Sequence, residues 1–492
     1  MKRGLILTVV CALLVTMLSG LAGCKQDDTP VDTSNGDTSE FVTLEYWFPV
    51  ATVPNDIRDV QEELNILLKD KLNCEVILRA VGIGDYESTI SLKIAAGDEF
   101  DVCYTCPWMN NYADNVRLEA FLPLDEMLPQ HAPTIWNTVK PEYWDAARID
   151  GQIYGVINLQ ILPRQACVSI EKELADAAGF DITTVEKYED LEPFFDYCLA
   201  QGETEVCEMF DVQSFLPYFN WDDMGGSYKL PGFVDATDPN GQVFNQYESE
   251  EWKSMMALGS RWYDKGYIKK DILTSYTDLN KICMRMPTTY KPGIEAEEIQ
   301  YTGREFYVQP IGDQIMYSSW VIGTMNAISQ TSQNPVRALQ FLELLYSDEE
   351  VFNLLCFGIE GEHYTKNADG KVHLLEDSGY VMPSGGWMFG NQFNQWLQDT
   401  QEDGIWEETE EINENAVKSS IYGFSFDPTN VKTEIANCTA VYDEYYLPLL
   451  LGLHDDPEAS YQEFLDKMEA AGASRIIAEK QRQLDEWRAS QA

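Results

Sequence analysis

Residues 41–105 alternate between two hydrophobic periods, and that alternation restricts the fold more than any other stretch. Residues 41–49, Phe-Val-Thr-Leu-Glu-Tyr-Trp-Phe-Pro, are β-branched and aromatic with partial alternation, which predicts a strand. Residues 55–72 carry Ile57, Val60, Leu64, Leu67 and Leu68 at helical spacing. A second strand is predicted over 74–81 and a second helix over 86–96, with Ile90, Leu92, Ile94 and Ala95. Gly97 breaks that helix, and a short third strand follows over 100–105. Parallel neighbours need a crossover long enough for a helix, so this order reads as a parallel α/β sheet. Ligands of such sheets sit beyond the carboxyl ends of the strands. Trp47 is expected at the end of the first strand, and Thr105 and Trp108 at the end of the third, all facing one crevice.

The chain has 492 residues with 45% hydrophobic content, enough for two or three domain-sized cores. Asp150-Gly151 marks a hairpin. Between Asn158 and Gln165 the chain is expected to cross to another body, and residues 306–310 are expected to be a short strand at a second crossing. Residues 168–178 read as a strand leading into a helix capped by Gly179, and 250–265 as an amphipathic helix. Residues 334–347 predict a helix with Pro335 in its first turn, and 348–357 continue the pattern. Residues 215–233 and 385–396 are aromatic and Gly-rich, hence loop-like; 431–452 and 459–487 are helical.

At the N-terminus, an apolar run over 4–18 follows Lys2 and Arg3 and leads to Leu21-Ala22-Gly23-Cys24. A basic start, an apolar centre and small residues before a cleavage point make an export signal. A Cys directly after them resembles the lipobox of bacterial lipoproteins, in which that Cys is lipidated on sulfur and becomes the new N-terminus. The resemblance implies a signal peptide over 1–23, a lipid anchor at Cys24, and a protein on the extracellular face of the cytoplasmic membrane. A plain secreted protein or an uncut signal anchor is the alternative. Residues 25–40 are rich in Asp, Thr and Ser and nearly devoid of apolar side chains, so 24–40 is expected to be a disordered tether.

The formal net charge is −48. Such a surface repels nucleic acid and anionic headgroups, which leaves the lipid as the route to the membrane and a neutral ligand as the one indifferent to the charge. Cys103 and Cys106 form a C-x-x-C, but no second such pair and no nearby His completes a zinc site, so they are read as small residues at a strand end. His131, His363, His373 and His454 show no metal-ligand spacing. No metal, cofactor or catalytic residue is expected.

Five segments then line up with one family: Ala96-Gly97-Asp98-Glu99-Phe100-Asp101-Val102, Leu122-Pro123-Leu124-Asp125, Asp150-Gly151-Gln152-Ile153-Tyr154-Gly155, Asn334-Pro335 with Ala338 and Phe341-Leu342, and Ser347-Asp348-Glu349-Glu350. In this order they resemble the substrate-binding lipoproteins of bacterial ABC importers, within the carbohydrate-binding cluster related to maltose-binding protein. Phe100 stands where that family has Pro, and Val156 is not followed by the usual Pro. Residues 358–364 and 389–393 look like the larger firmicute-type members with a long C-terminal extension. The resemblance implies an α/β, two-lobed, hinged fold of the periplasmic-binding-protein type II, each lobe a mostly parallel sheet flanked by helices. The lobes are expected over 41–157 plus 311–395 and over 158–310 plus 396–492. The implied partners are an oligosaccharide and the transmembrane subunits of an ABC permease, and a monomer is expected.

A sugar presents hydroxyls on its rim and C–H groups on its faces, so its cleft needs flat rings edged by polar side chains. The aromatics in strand-end or Gly-rich positions are Trp47, Trp108, Trp221, Trp320 and Trp387; Trp252, Trp262 and Trp487 fall in helical patterns and are assigned to the core. The polar candidates are Thr105, Asn158, Gln160, Glu360 and Asn391. Arg164 is read as a surface ion pair, with a uronic acid carboxylate as the other reading. Two further functions are weighed: an anchored glycoside hydrolase, which would need two carboxylates about 5–10 Å apart, and a binder of a non-carbohydrate solute such as a peptide.

Overall fold

The first strand, β1 (Val42–Val50), is followed by α1 (Ile57–Leu72), β2 (Cys74–Gly82), α2 (Ile83–Ala96) and β3 (Val102–Thr105), the order the hydrophobic periods predict. These and all following coordinates come from a computed structural model that describes residues 36–491 apart from 209–211, 226, 276, 377, 381, 383 and 384. The expectations for the export signal, for Cys24 and for most of the tether therefore lie outside the described residues. β1 pairs in parallel with β2 on one side and β3 on the other. α1 buries Val60, Leu64, Leu68 and Leu72, an i, i+4 stripe, and stops at Asn73 in the left-handed region.

Five later strands complete the two main sheets: β4 (Val156–Ile157), β5 (Cys167–Glu171), β6 (Met284–Arg285), β7 (Phe306–Pro310) and β8 (Met325–Ile328). The first sheet has the order β2-β1-β3-β8-β4, and the second β6-β5-β7. The helices used below are α3 (Glu250–Lys265), α4 (Ile294–Thr302), α5 (Pro335–Ser347), α6 (Ile405–Asn415), α7 (Lys432–Leu450), α8 (Pro457–Ala471) and α9 (Ala473–Gln491). Residues 459–487, which read as continuously helical, are divided between α8 and α9 at Gly472, whose φ of 112° no side-chain-bearing residue adopts readily.

Buried side chains gather into two large cores. The first draws on residues from Leu44 to Leu162 and from Met316 to Phe389; the second on Ala166 to Ile311 and Ile421 to Leu484. This is the two-lobed α/β architecture. Trp252 and Trp262 on α3 are fully buried in the second core.

Both sheets depart from the expected mostly parallel pattern: in the first, β8 pairs antiparallel with β3 and β4, and in the second both strand pairs are antiparallel. β5 pairs antiparallel with both β6 and β7. The reason is the path of the chain: β5 leaves the first body and β7 returns to it, so their shared ends, Cys167 and Pro310, must lie side by side. The pairing continues into the waist, where Ile311 donates its amide to the Ala166 carbonyl at 2.7 Å, and Arg164 and Ile315 exchange backbone hydrogen bonds at 2.8 and 2.9 Å.

A third link follows. Val417 and Lys418 pair with Ile315 and Met316, and the Ser419 amide donates to the Met316 carbonyl at 2.9 Å. Trp396, Ala416 and Tyr422 pack on the first core. Side chains beyond the expected boundary at 395 thus still pack on the first core, which the aromatic segment around Trp396 helps to cover.

The end of the expected tether is also held. Arg337 on α5 is buried and donates to the carbonyls of Asp37 at 2.9 Å and Leu72 at 2.6 Å, and Asn73 Nδ2 donates to the Thr38 carbonyl at 2.9 Å. Backbone carbonyls captured by a buried guanidinium offset the low apolar content that predicted disorder there.

Candidate ligand-binding cleft

Trp108 stands at the tip of a tight loop after β3. The Thr105 hydroxyl donates to the Asn110 carbonyl at 2.5 Å, the Cys106 amide to the Met109 carbonyl at 3.1 Å, and Asn110 Nδ2 to the Tyr104 carbonyl at 2.9 Å. Asn110 sits at φ 48°, a left-handed position that Asn tolerates. The loop leaves Trp108 49% exposed, with its Nε1 donating to the Gly323 carbonyl at 2.8 Å. Trp387 approaches it at 6.5 Å between ring centroids, and Tyr104 lies edge-on to Trp387 at 5.9 Å.

A cavity of about 410 Å³ opens in front of these rings. Trp108, Trp320, Trp387, Gln160, Gly323 and Thr324 form one side; Gln213, Thr289 and the side chains of β6 and α4, among them Arg285, Glu298 and Tyr301, form the other. A second chamber of about 240 Å³ shares Trp108, Gln213 and Trp320 with the first and continues past Arg164, Asp223, Tyr228 and Tyr317. Ile83, Trp108 and Tyr301 are exposed apolar side chains, and all three line the larger chamber. Apolar surface left in water at a concave site marks a place where something binds.

Four predicted residues thus come together: Trp108, Trp320, Trp387 and Gln160, whose Nε2 donates to Thr324 Oγ1 at 2.8 Å. The others are placed elsewhere. Trp47 is not at its strand's end, since β1 runs on to Val50; its Nε1 donates to Glu45 Oε2 at 3.0 Å, with the Lys93 ammonium 5.0 Å from its ring. Trp221 is buried among Phe219, Phe233 and Phe244 in the second core. Thr105, Asn158 and Asn391 are buried behind the site. Asn158 Nδ2 donates to the Met388 carbonyl at 2.9 Å and Asn391 Oδ1 accepts from the Phe393 amide at 3.2 Å, so both hold the segment that presents Trp387. Glu360 is exposed and bridges to Tyr364, away from the lining.

The sequence reading passed over residues 284–302, which supply much of the opposite wall. Arg285 Nη1 lies 2.8 Å from Glu298 Oε2, and Lys291 Nζ 2.6 Å from Glu297 Oε1. The Arg285 guanidinium also stands 5.3 Å from the Tyr301 ring. Burial pushes the Glu298 carboxyl up, and Arg285 works against that shift. A readable signal existed: the polar and aromatic run Pro287-Thr288-Thr289-Tyr290-Lys291-Pro292-Gly293 immediately before a helix.

Arg164 is buried, not at the surface. Its guanidinium lies 4.5 Å from the Trp320 ring and donates to the carbonyls of Gln213 at 3.1 Å and Thr288 at 3.0 Å. Behind the smaller chamber, Asp222 is buried beside Asp223 and accepts from Ser419 Oγ at 2.6 Å; burial pushes its carboxyl up to about 6. Lys480, from α9, is buried against the Gly232 carbonyl at 2.8 Å, and burial pushes its ammonium down to about 8. Cys103 and Cys106 are buried free thiols.

The two bodies, their paired crossings and the cleft between them make up the two-lobed fold seen in type II solute-binding proteins, and comparison with known proteins agrees on that fold. The chain is 23% identical, over 97% of both chains, to a carbohydrate ABC transporter substrate-binding protein of Streptococcus pneumoniae. Its fold matches the crystal structure of the N-glycan transport solute binding protein of the same organism with a TM-score of 0.81, at 23% identity, over 92% of this chain and 100% of that one. The complex of that protein with Man5GlcNAc matches with a TM-score of 0.75, at 22% identity, over 92% of this chain and 99% of that one. A family model described as a domain of unknown function, DUF3502, covers residues 420–489, the segment that includes α7 and α8 and most of α9. The chain has the fold and, along its length, the sequence likeness of substrate-binding proteins that serve carbohydrate ABC transporters.

Proposed function

We propose that this protein is the extracellular substrate-binding component of an ABC importer, and that it captures an oligosaccharide between its two bodies and delivers it unaltered to the transmembrane subunits of the permease. The observation that carries this reading is the gathering of three indoles, Trp108, Trp320 and Trp387, around one cleft that polar side chains also line. Rings offer flat faces to sugar C–H groups, and Gln160, Gln213, Thr289 and Thr324 offer hydrogen bonds to hydroxyls.

Closure is a hinge motion about the paired crossings at 162–166 and 311–316 and the link at 416–421, with the ligand favouring the closed form through contacts to both walls. The lipid anchor at Cys24 is part of the proposal, as is a monomeric state. No helix among the described residues is long and apolar enough to cross a membrane. The site is read as non-catalytic because Glu297 and Glu298 are each engaged by a cation.

The test is a thermal-shift screen of the purified protein against a glycan panel, followed by mass spectrometry of recovered ligand. A ligand that binds only the folded state raises stability by about 2.7 kcal/mol at a hundredfold excess over its Kd. Recovery of intact glycan supports the proposal. Shortened glycan indicates a hydrolase, and stabilisation by peptides alone indicates a different solute.

A further inference from the structure

Among the described residues, the cleft lining includes six charged side chains, three of each sign. Arg285 and Lys291 face Glu298 and Glu297 at ion-pair distance, while Arg164 is turned onto two carbonyls and an indole face, with Asp223 lining the same chamber. Each cation therefore already has acceptors or a ring against it. A carboxylate on a ligand would have to take Arg285 from Glu298 or Lys291 from Glu297, and Glu298 is 2% exposed. A buried carboxylate stripped of its partner is costly. The surrounding surface adds to this, since a chain of net charge −48 repels anions at long range.

From this charge matching we infer that the cleft selects uncharged oligosaccharides and rejects those built from uronic acids, with the Arg285–Glu298 and Lys291–Glu297 pairs as the discriminating groups. The inference rests on the oligosaccharide reading above and narrows it. The pairs leave this wall without net charge: Glu297 and Lys291 can meet neutral hydroxyls, Glu298 stays buried against Arg285, and neither pair is left unbalanced when the ligand leaves. Carboxylate-bearing rings of the same shape meet Glu297 and Glu298 without a spare cation. Discrimination of this kind works by repulsion as much as by fit.

The test uses matched probes. A neutral panel of hexose and N-acetylhexosamine oligomers is titrated calorimetrically into the protein. Oligogalacturonides and their carboxyl-reduced counterparts of equal length follow, differing only in COO⁻ against CH₂OH. The expected result is binding within the neutral panel, and weaker binding of each uronide than of its reduced partner. Glu298→Gln, which removes the nearer of the two carboxylates on Arg285 and leaves Glu208 at 3.6 Å, should improve uronide binding by roughly tenfold. Should that variant fail to fold, Glu297→Gln, which frees Lys291, carries the same expectation. Uronides that bind the unmodified protein more tightly than their reduced partners overturn the inference and leave the oligosaccharide reading standing. Failure of every glycan to bind removes both.

Discussion

Trp108 and Gly323 are joined by a hydrogen bond of 2.8 Å from the indole Nε1 to the backbone carbonyl. This bond ties the loop after β3 to the segment just ahead of β8 and so fixes the plane of a half-exposed ring. A freely rotating indole would lose entropy on binding; a fixed one has already lost it.

Replacement of Trp108 by Ala should therefore weaken ligand binding by about 2 kcal/mol, roughly thirtyfold, with little change in thermal stability. Trp108→Phe, which keeps a ring but loses the donor, should fall between. Calorimetric affinity beside a melting curve checks both, and equal losses in affinity and melting temperature would show a packing role instead.

Trp221→Ala should behave in the opposite way. Its ring lies 4.8 Å from Phe219 and 5.7 Å from Phe233 in the second core. Truncation should cost about 3–5 kcal/mol of folding stability, measured by denaturant unfolding, before any effect on the cleft is reached.

Gln300 on α4 donates its side-chain amide to Gln398, which is bridged to the first body through Val372. This contact joins the two bodies beside the cleft and exists only when α4 is docked. Gln300→Ala should lower affinity by about threefold to tenfold, by favouring the open form. Solution scattering of the unliganded variant should show a larger radius of gyration than the unmodified protein.

Stability should depend on pH through two buried groups. Lys480 ordinarily keeps its proton to 10.5 and in the fold only to about 8. Between those values the unfolded chain binds more protons, so stability rises with pH, on the order of 3 kcal/mol across the window. Asp222 goes the other way: its carboxyl is raised from 3.8 to about 6, the folded chain holds the extra proton, and stability falls as pH rises between them. Denaturant midpoints across pH should show both trends, and Lys480→Met should abolish the alkaline one.

Cys103 and Cys106 should resist alkylation in the folded protein. Burial pushes the Cys106 thiol up to about 12, so almost no thiolate forms at neutral pH. Mass spectrometry with and without denaturant checks this, and rapid labelling of the native chain would show reactive thiols instead of buried ones.

β1, α1 and β2 could be read because each keeps an open side and hence a visible period, while β3, buried throughout, shows as a short continuous apolar run. Trp108 could be placed just past β3 because the pattern located the end of that strand. Trp47 was misplaced because the apolar run does not stop at Pro49; Val50 completes the strand and carries its end beyond Trp47. Trp221 shows another limit. A Gly-rich aromatic stretch looks like a loop at the surface, yet Phe215, Phe219 and Trp221 pack on one another and fold the segment inward. The charged wall was hidden because a two-residue strand, β6, and the nine-residue α4 carry too little period to register.

The three links at the waist mean that neither body is drawn from one uninterrupted stretch of chain. A protease nick in any one of them leaves two covalent bridges intact, so the clipped molecule stays whole under native conditions and separates only on a denaturing gel. Neither half can be produced alone by truncation, and a split reporter built on this scaffold would need a permuted gene with new ends placed away from the waist.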